Sequence, residues 1–185
     1  MVEINQEALC EVIKARLAKT TNERHRTMLE RMLEHAHYEH QGDLEGLMGT
    51  LGPDTNYHFW ELSGDVGPKG LDGVRDYYSH LVEMKAHILE FDCDRMVVDD
   101  DCIVIEGWLT MISPGAYLAE NPMAASFADA SKNYLVKMRN VIFWPFDENL
   151  YIIGEDSYTG GPMEMRELAD DELPHQYRAV IGLPA

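Results

Sequence analysis

Near residue 86 the apolar period of this 185-residue chain changes, and that switch limits its fold more than anything else in it. Upstream, apolar residues recur with a helical period. Val74, Tyr77, Tyr78, Leu81 and Val82 fall at i, i+3, i+4, i+7 and i+8, the stripe of an amphipathic helix. Downstream, long runs rich in Val, Ile, Phe, Tyr and Trp alternate as strands do. Helices first and long strands last predict an α+β fold, with helices laid against one antiparallel sheet, rather than alternating α/β units.

The residues set provisional boundaries. The first helix is expected over about 6–19. Thr20-Thr21-Asn22-Glu23 reads as a capping box that starts a second helix ending near His40. Asp43 caps a short third helix, closed by Gly52-Pro53, and 57–61 reads as a short strand. Asp72 is the expected start of the helix that carries Tyr77 and Tyr78. Strands are predicted over about 86–98, 102–112, 132–145 and 149–158. The 113–131 connection, with two prolines and many small residues, is either a lid over a pocket or a surface crossing. One domain is expected over 1–185, its core over about 22–160. The tail from 161 on reads as partly irregular and able to wrap a neighbouring subunit.

Charge narrows the partners. A formal net charge of -18 opposes binding to nucleic acid and to anionic membrane surfaces, which leaves a neutral, aromatic or hydrophobic small molecule. No apolar run is long enough for a membrane span or a signal peptide, so a cytoplasmic location is expected. Cys10, Cys93 and Cys102 have no CxxC spacing, which predicts free thiols and no metal site. Dinucleotide, P-loop, nucleophile-elbow and HExxH motifs are absent, so the chemistry predicted is acid/base work without a cofactor.

Candidate site residues are polar groups where the period demands apolar ones. Glu39 and His40 fall inside the Met28, Leu29, Met32, Leu33, Ala36 stripe of the second helix, with His35 at its edge. They face the core or reach solvent at a frayed helix end. On the strand at 86–98, strict alternation places His87 and Arg95 on the apolar face with Leu89, Phe91 and Cys93. A histidine there can take a proton near neutrality, and an arginine can hold a developing anion. Asn140 interrupts the apolar face of Tyr134, Val136, Met138, Ile142 and Trp144. One of Glu155 and Asp156 must point inward, and Tyr57 and His58 pose the same choice. Trp108 is the expected wall residue of its strand.

Four segments together resemble the SnoaL-like branch of the nuclear transport factor 2-like superfamily. They are HAHYEHQGDLEGLMGTLGPDTNYHFW, LDGVRDYYSHL, FDCDRMVVDDDCIVIEG and VIFWPFDENLYIIGEDSY, covering about residues 22–160 in order. The resemblance implies a cone-shaped α+β barrel, a curved antiparallel sheet with N-terminal helices enclosing a pocket. It also implies a homodimer or homotrimer. The superfamily's enzymes include scytalone dehydratase, ketosteroid isomerase, limonene epoxide hydrolase, polyketide cyclases and cofactor-free diarylpropane formaldehyde lyases. His87 matches the histidine that scytalone dehydratase carries after its third long helix. His35 stands where the isomerase has a tyrosine, and Phe59 near where it has its aspartate base. The expectation is therefore a cofactor-independent lyase losing water or formaldehyde. His87 is its base, aided by His40 or Glu39, and Arg95 its anion stabiliser. Tyr57 or His58 would orient a hydroxyl, with Trp108, Asn140 and Asp156 contacting an aromatic substrate. Isomerase or cyclase chemistry, or binding without turnover, are the alternatives.

Overall fold

The computed structural model describes residues 1–61, 63–121 and 124–184. Helix α1 is Ala8–Leu17, α2 is Glu23–Gln41 and α3 is Leu44–Met48. Strands β1 (His58–Glu61) and β2 (Gly64–Asp65) follow, then α4 (Gly70–Glu83). Strand β3 is Leu89–Val98 and β4 is Cys102–Pro114, with a short α5 at Gly115–Leu118. Strands β5 (Asn133–Pro145) and β6 (Asp156–Leu168) and helix α6 (His175–Val180) complete the chain. The strands form one curved sheet in the order β2-β1-β6-β5-β4-β3, antiparallel except for the β1–β6 pair. Among the described residues no helix is long and apolar enough to cross a membrane.

Helix boundaries follow local chemistry. The cap of α2 is Asn22, whose side chain accepts from the His25 N–H, and not the expected Thr20 box. The Thr20 hydroxyl instead donates back to the Arg16 carbonyl. Gly42 ends α2 at φ 67°, a left-handed turn that leaves the helix cleanly stopped rather than frayed. Helix α4 begins two residues before Asp72, with Val74, Tyr78 and Leu81 buried as the stripe predicts.

Between the helices and the inner face of the sheet lies the main apolar cluster, which includes Met28, Met32, Ile103, Ile105, Ile142 and Trp144. The last predicted strand is displaced. Residues 149–155 make only isolated bridges, and the long strand is β6, which runs into the stretch expected to be irregular. The tail folds onto its own chain. Leu168, Leu173 and Tyr177 bury against Ile4, Ile88 and Ile112 in a second apolar cluster.

A bulge decides which side chains reach the interior. In the β3–β4 ladder, Cys93 pairs with Gly107 and Arg95 with Glu106, so Asp94 is an extra residue and the alternation reverses there. Gly107 is needed at this point, because a Cβ would lie 2.2 Å from the Asp92 carbonyl oxygen.

Candidate functional site

A narrow crevice opens where the end of α2 meets the end of α4 and the start of β3. Glu39, Gly42, Tyr78, Val82 and His87 are among its walls, and its volume of about 10 Å³ suits roughly one water. Behind it the cone is filled with side chains. His35, Tyr57, Tyr78 and Trp144 are all buried.

His87 precedes β3 and is 6% exposed. Its Nδ1 is buried without a hydrogen-bond partner among the described residues. A methyl group on Gly42 would lie 3.7 Å from His87 Nε2, so the ring points at the α2 terminus. Burial, with Lys85 adding to it, lowers the His87 pKa, and the Leu81 backbone partly offsets this. The imidazole is a neutral base at neutral pH.

Deeper in, a chain of hydrogen bonds runs from Thr50 through His35 and Tyr78 to Glu155. Thr50 Oγ1 lies 2.6 Å from the Leu47 carbonyl, a contact that requires the Thr50 hydrogen between the two oxygens. Thr50 therefore accepts from His35 Nδ1, 2.7 Å away. Burial holds the His35 pKa down to about 3, so the ring carries one hydrogen and Nε2 accepts. The Tyr78 hydroxyl lies 3.1 Å from that Nε2. The same hydroxyl lies 3.2 Å from Glu155 Oε2 and is in position to donate to it. Tyr57 completes the group, its hydroxyl 3.4 Å from that of Tyr78. Burial raises the Glu155 pKa, the charge of Glu39 raises it further, and the Tyr78 hydrogen bond offsets part of this. Burial raises that of Glu39 too.

Several sequence candidates are thus brought together and others are not. Tyr57, Glu39 and His87 face inward. Asn140 does as well, 5% exposed, with its Oδ1 unmatched among the described residues. The inward member of the acidic pair is Glu155. Asp156 lies opposite outward-facing Phe143, beside His58 and Lys69, and does not reach the crevice. His58 is on the outer face as well, its Nδ1 2.7 Å from Asp65 and its ring stacked on Trp60.

Arg95 is a correction. The bulge turns it outward, its side chain 73% exposed and 2.8 Å from Glu106. Trp108 is another, because the register that places Ile105 and Leu109 inside places Trp108 outside, under Lys137 and Arg139. His40 points away from the crevice toward α1, where its donor nitrogen groups with Glu7 and Cys10. The described part of 113–131 does not line the crevice; its α5 turn docks on α4, with Glu120 2.6 Å from His80. Pro122 and Met123 of that segment lie outside the described residues.

Sequence reasoning passed over Tyr78, read as ordinary stripe, and Thr50. The signal for Tyr78 was present, since a tyrosine on a buried stripe needs a partner for its hydroxyl.

Solved structures with this arrangement of helices and sheet place it. A protein of Shewanella putrefaciens described as a candidate SnoaL-like polyketide cyclase matches with a TM-score of 0.57 at 13% identity, over 86% of this chain and 90% of its own. An NTF2-like protein of unknown function from Burkholderia pseudomallei matches with a TM-score of 0.50 at 16% identity, over 72% and 91%. The chain has the nuclear transport factor 2-like fold. SalBIII, an epoxide hydrolase/cyclase-like enzyme with a role in pyran ring formation in the polyether salinomycin, shares this NTF2-like fold with a TM-score of 0.52 at 11% identity, over 72% and 90%. No family model and no curated protein sequence matches the chain.

Proposed function

We propose that this NTF2-like chain is a cofactor-independent lyase acting on an aromatic or polycyclic small molecule. The observation that carries the reading is the pairing of a neutral His87, whose Nδ1 has no hydrogen-bond partner among the described residues, with a Glu155 that burial favours in its acid form and that meets Tyr78 of the same crevice. Environments that keep one group basic and another acidic divide the two halves of an elimination.

In loss of water, His87 takes a proton from carbon as the neighbouring carbon–oxygen bond breaks. The departing oxygen takes a proton from Tyr78, which recovers one from Glu155. A carbon–carbon double bond and water result. In loss of formaldehyde, His87 takes the hydroxyl proton of a hydroxymethyl group. The carbon–carbon bond then breaks, and its electrons expel an oxygen that the Tyr78 relay protonates. Glu39 and Tyr57 are placed to hold the substrate's hydroxyls, and Asn140 to orient an oxygen further in. SalBIII supports the reading that this fold serves catalysis.

Incubating the purified protein with pooled aromatic diols, diarylpropanes, hydroxynaphthalenones and steroid enones, followed by mass spectrometry, tests this. The expected product is lighter by water, formaldehyde or both, and His87→Ala lowers kcat by roughly 10²–10⁴-fold. Full turnover by His87→Ala refutes the mechanism.

A second reading has its own support. SnoaL-like neighbours described as cyclases favour ring closure, which yields an isobaric product. Binding without turnover would instead leave the ligand retained unchanged, with His87→Ala altering affinity alone.

A further inference from the structure

The seam between α1 and α2 brings together three metal-ligating side chains that do not line the crevice. Glu7 sits at the N-cap of α1 and Cys10 one turn on, so i, i+3 spacing puts both on one face. His40 comes from the last turn of α2, thirty residues after Cys10. One donor atom from each lies within 4.8 Å of the other two.

We propose that Glu7, Cys10 and His40 form a binding site for a zinc-class divalent cation. A tetrahedral ion with bonds of about 2.0–2.3 Å separates its ligands by roughly 3.3–3.8 Å, a spacing within the 4.8 Å limit that the three donor atoms already meet. The donor set is selective. Sulfur and imidazole favour Zn²⁺ or Co²⁺ and disfavour Mg²⁺ and Ca²⁺. Three protein ligands leave a fourth position for water, and exposed Glu7 supplies the entry side.

Burial supplies the second observation. Cys10 is fully buried, and His40 Nδ1 is buried with no hydrogen-bond partner among the described residues. Such a nitrogen is costly unless something occupies it. Glu7 is held by Lys14 at 3.6 Å, a solvent-exposed contact that a cation displaces readily. The Gln6 amide donates to the His40 carbonyl at 3.4 Å, tying α1 to the end of α2 beside the ligand. On binding, the Cys10 thiol gives its proton to water as the metal–sulfur bond forms. Sequence spacing could not show this set, because its cysteine and histidine meet only when the two helices pack.

The test is titration of the metal-free full chain with Co²⁺, read by absorbance. The expected result is one equivalent bound per chain, with a near-ultraviolet thiolate-to-cobalt band and visible bands of tetrahedral intensity. Cys10→Ser abolishes the thiolate band. His40→Gln and Glu7→Gln, at positions less demanding of packing, each weaken binding tenfold or more. Cys93→Ala/Cys102→Ala keeps the spectrum, which assigns the sulfur even if Cys10→Ser folds poorly. Absence of a thiolate band in the native chain overturns the site, as does full-strength binding by His40→Gln.

Discussion

The two faces of the sheet treat polar side chains in opposite ways. Outside, charges meet charges. Arg139 bridges Asp94 and Glu106, Arg95 adds a second contact to Glu106, and Lys69 and His58 converge on Asp65. Inside, His87 Nδ1, Asn140 Oδ1 and Trp144 Nε1 are buried with no partner among the described residues. The outer pairs are solvated and add solubility more than stability. The inner atoms have no protein partner among the described residues, and a buried polar atom costs free energy unless water or a ligand satisfies it. The difference teaches where to look: function belongs with unmatched atoms, while matched ions hold shape. Asp156 Oδ1, unmatched near the outer His58, is one exception, and Arg31 Nε on α2 is another.

The sharpest way to break this comparison is His35, the inner group that is fully matched. His35→Ala removes a buried ring, takes one hydrogen bond each from Thr50 and Tyr78, and opens a cavity beside Trp144. The expected loss is roughly 3–5 kcal/mol in a denaturant titration. A loss no larger than that of a surface variant would mean the chain of hydrogen bonds carries nothing. His35 also gives an acid limb. Its folded pKa is depressed from 6.5 to about 3, so its stability is present above 6.5 and is lost as pH falls toward 3.

Glu155 gives the opposite limb. Its folded pKa is raised above the usual 4.5 of a solvated glutamate, so its contribution is complete below that value. It is lost as pH rises through the folded pKa. Glu155→Gln keeps a donor for Tyr78 and cannot ionise. Thermal melts across pH should therefore decline less on the alkaline side in the variant than in the native chain. Parallel alkaline declines in the two would show that Glu155 is ionised throughout.

Much of this was legible beforehand, for identifiable reasons. Helical and strand periods are local, so α4, β4 and β5 could be read off Val74–Leu81, Ile103–Ile112 and Tyr134–Trp144. Asn140 was legible because β5 keeps a regular alternation from Tyr134 to Trp144 on its inner side. Arg95 was not, because one inserted residue inverts a face and no local pattern announces it. Trp108 failed for a related reason. The inner side of β4 is set by its register with β3 and β5, and at Gly107 that side shows no side chain at all. The hydrogen-bond chain was hidden too, since His35, Thr50, Tyr78 and Glu155 come from four separated segments.

The smallest expected effect is the most discriminating against the original reading. If Arg95 stabilised an anion in the crevice, Arg95→Ala would cost orders of magnitude in kcat. With its guanidinium outside, 73% exposed and sharing Glu106 with Arg139, the variant should keep its turnover. Its denaturation midpoint should move by no more than the error of the curve, because Arg139 still neutralises Glu106 at 2.7 Å. Arg139→Ala makes the contrast quantitative. It removes the shared cation from both Asp94 and Glu106, and leaves Trp108 with Lys137 alone over its ring. It should therefore be the more destabilising of the two while sparing catalysis. A large kcat effect from Arg95→Ala with an unchanged fold would return Arg95 to the site and require the bulge at Asp94 to relax when substrate binds.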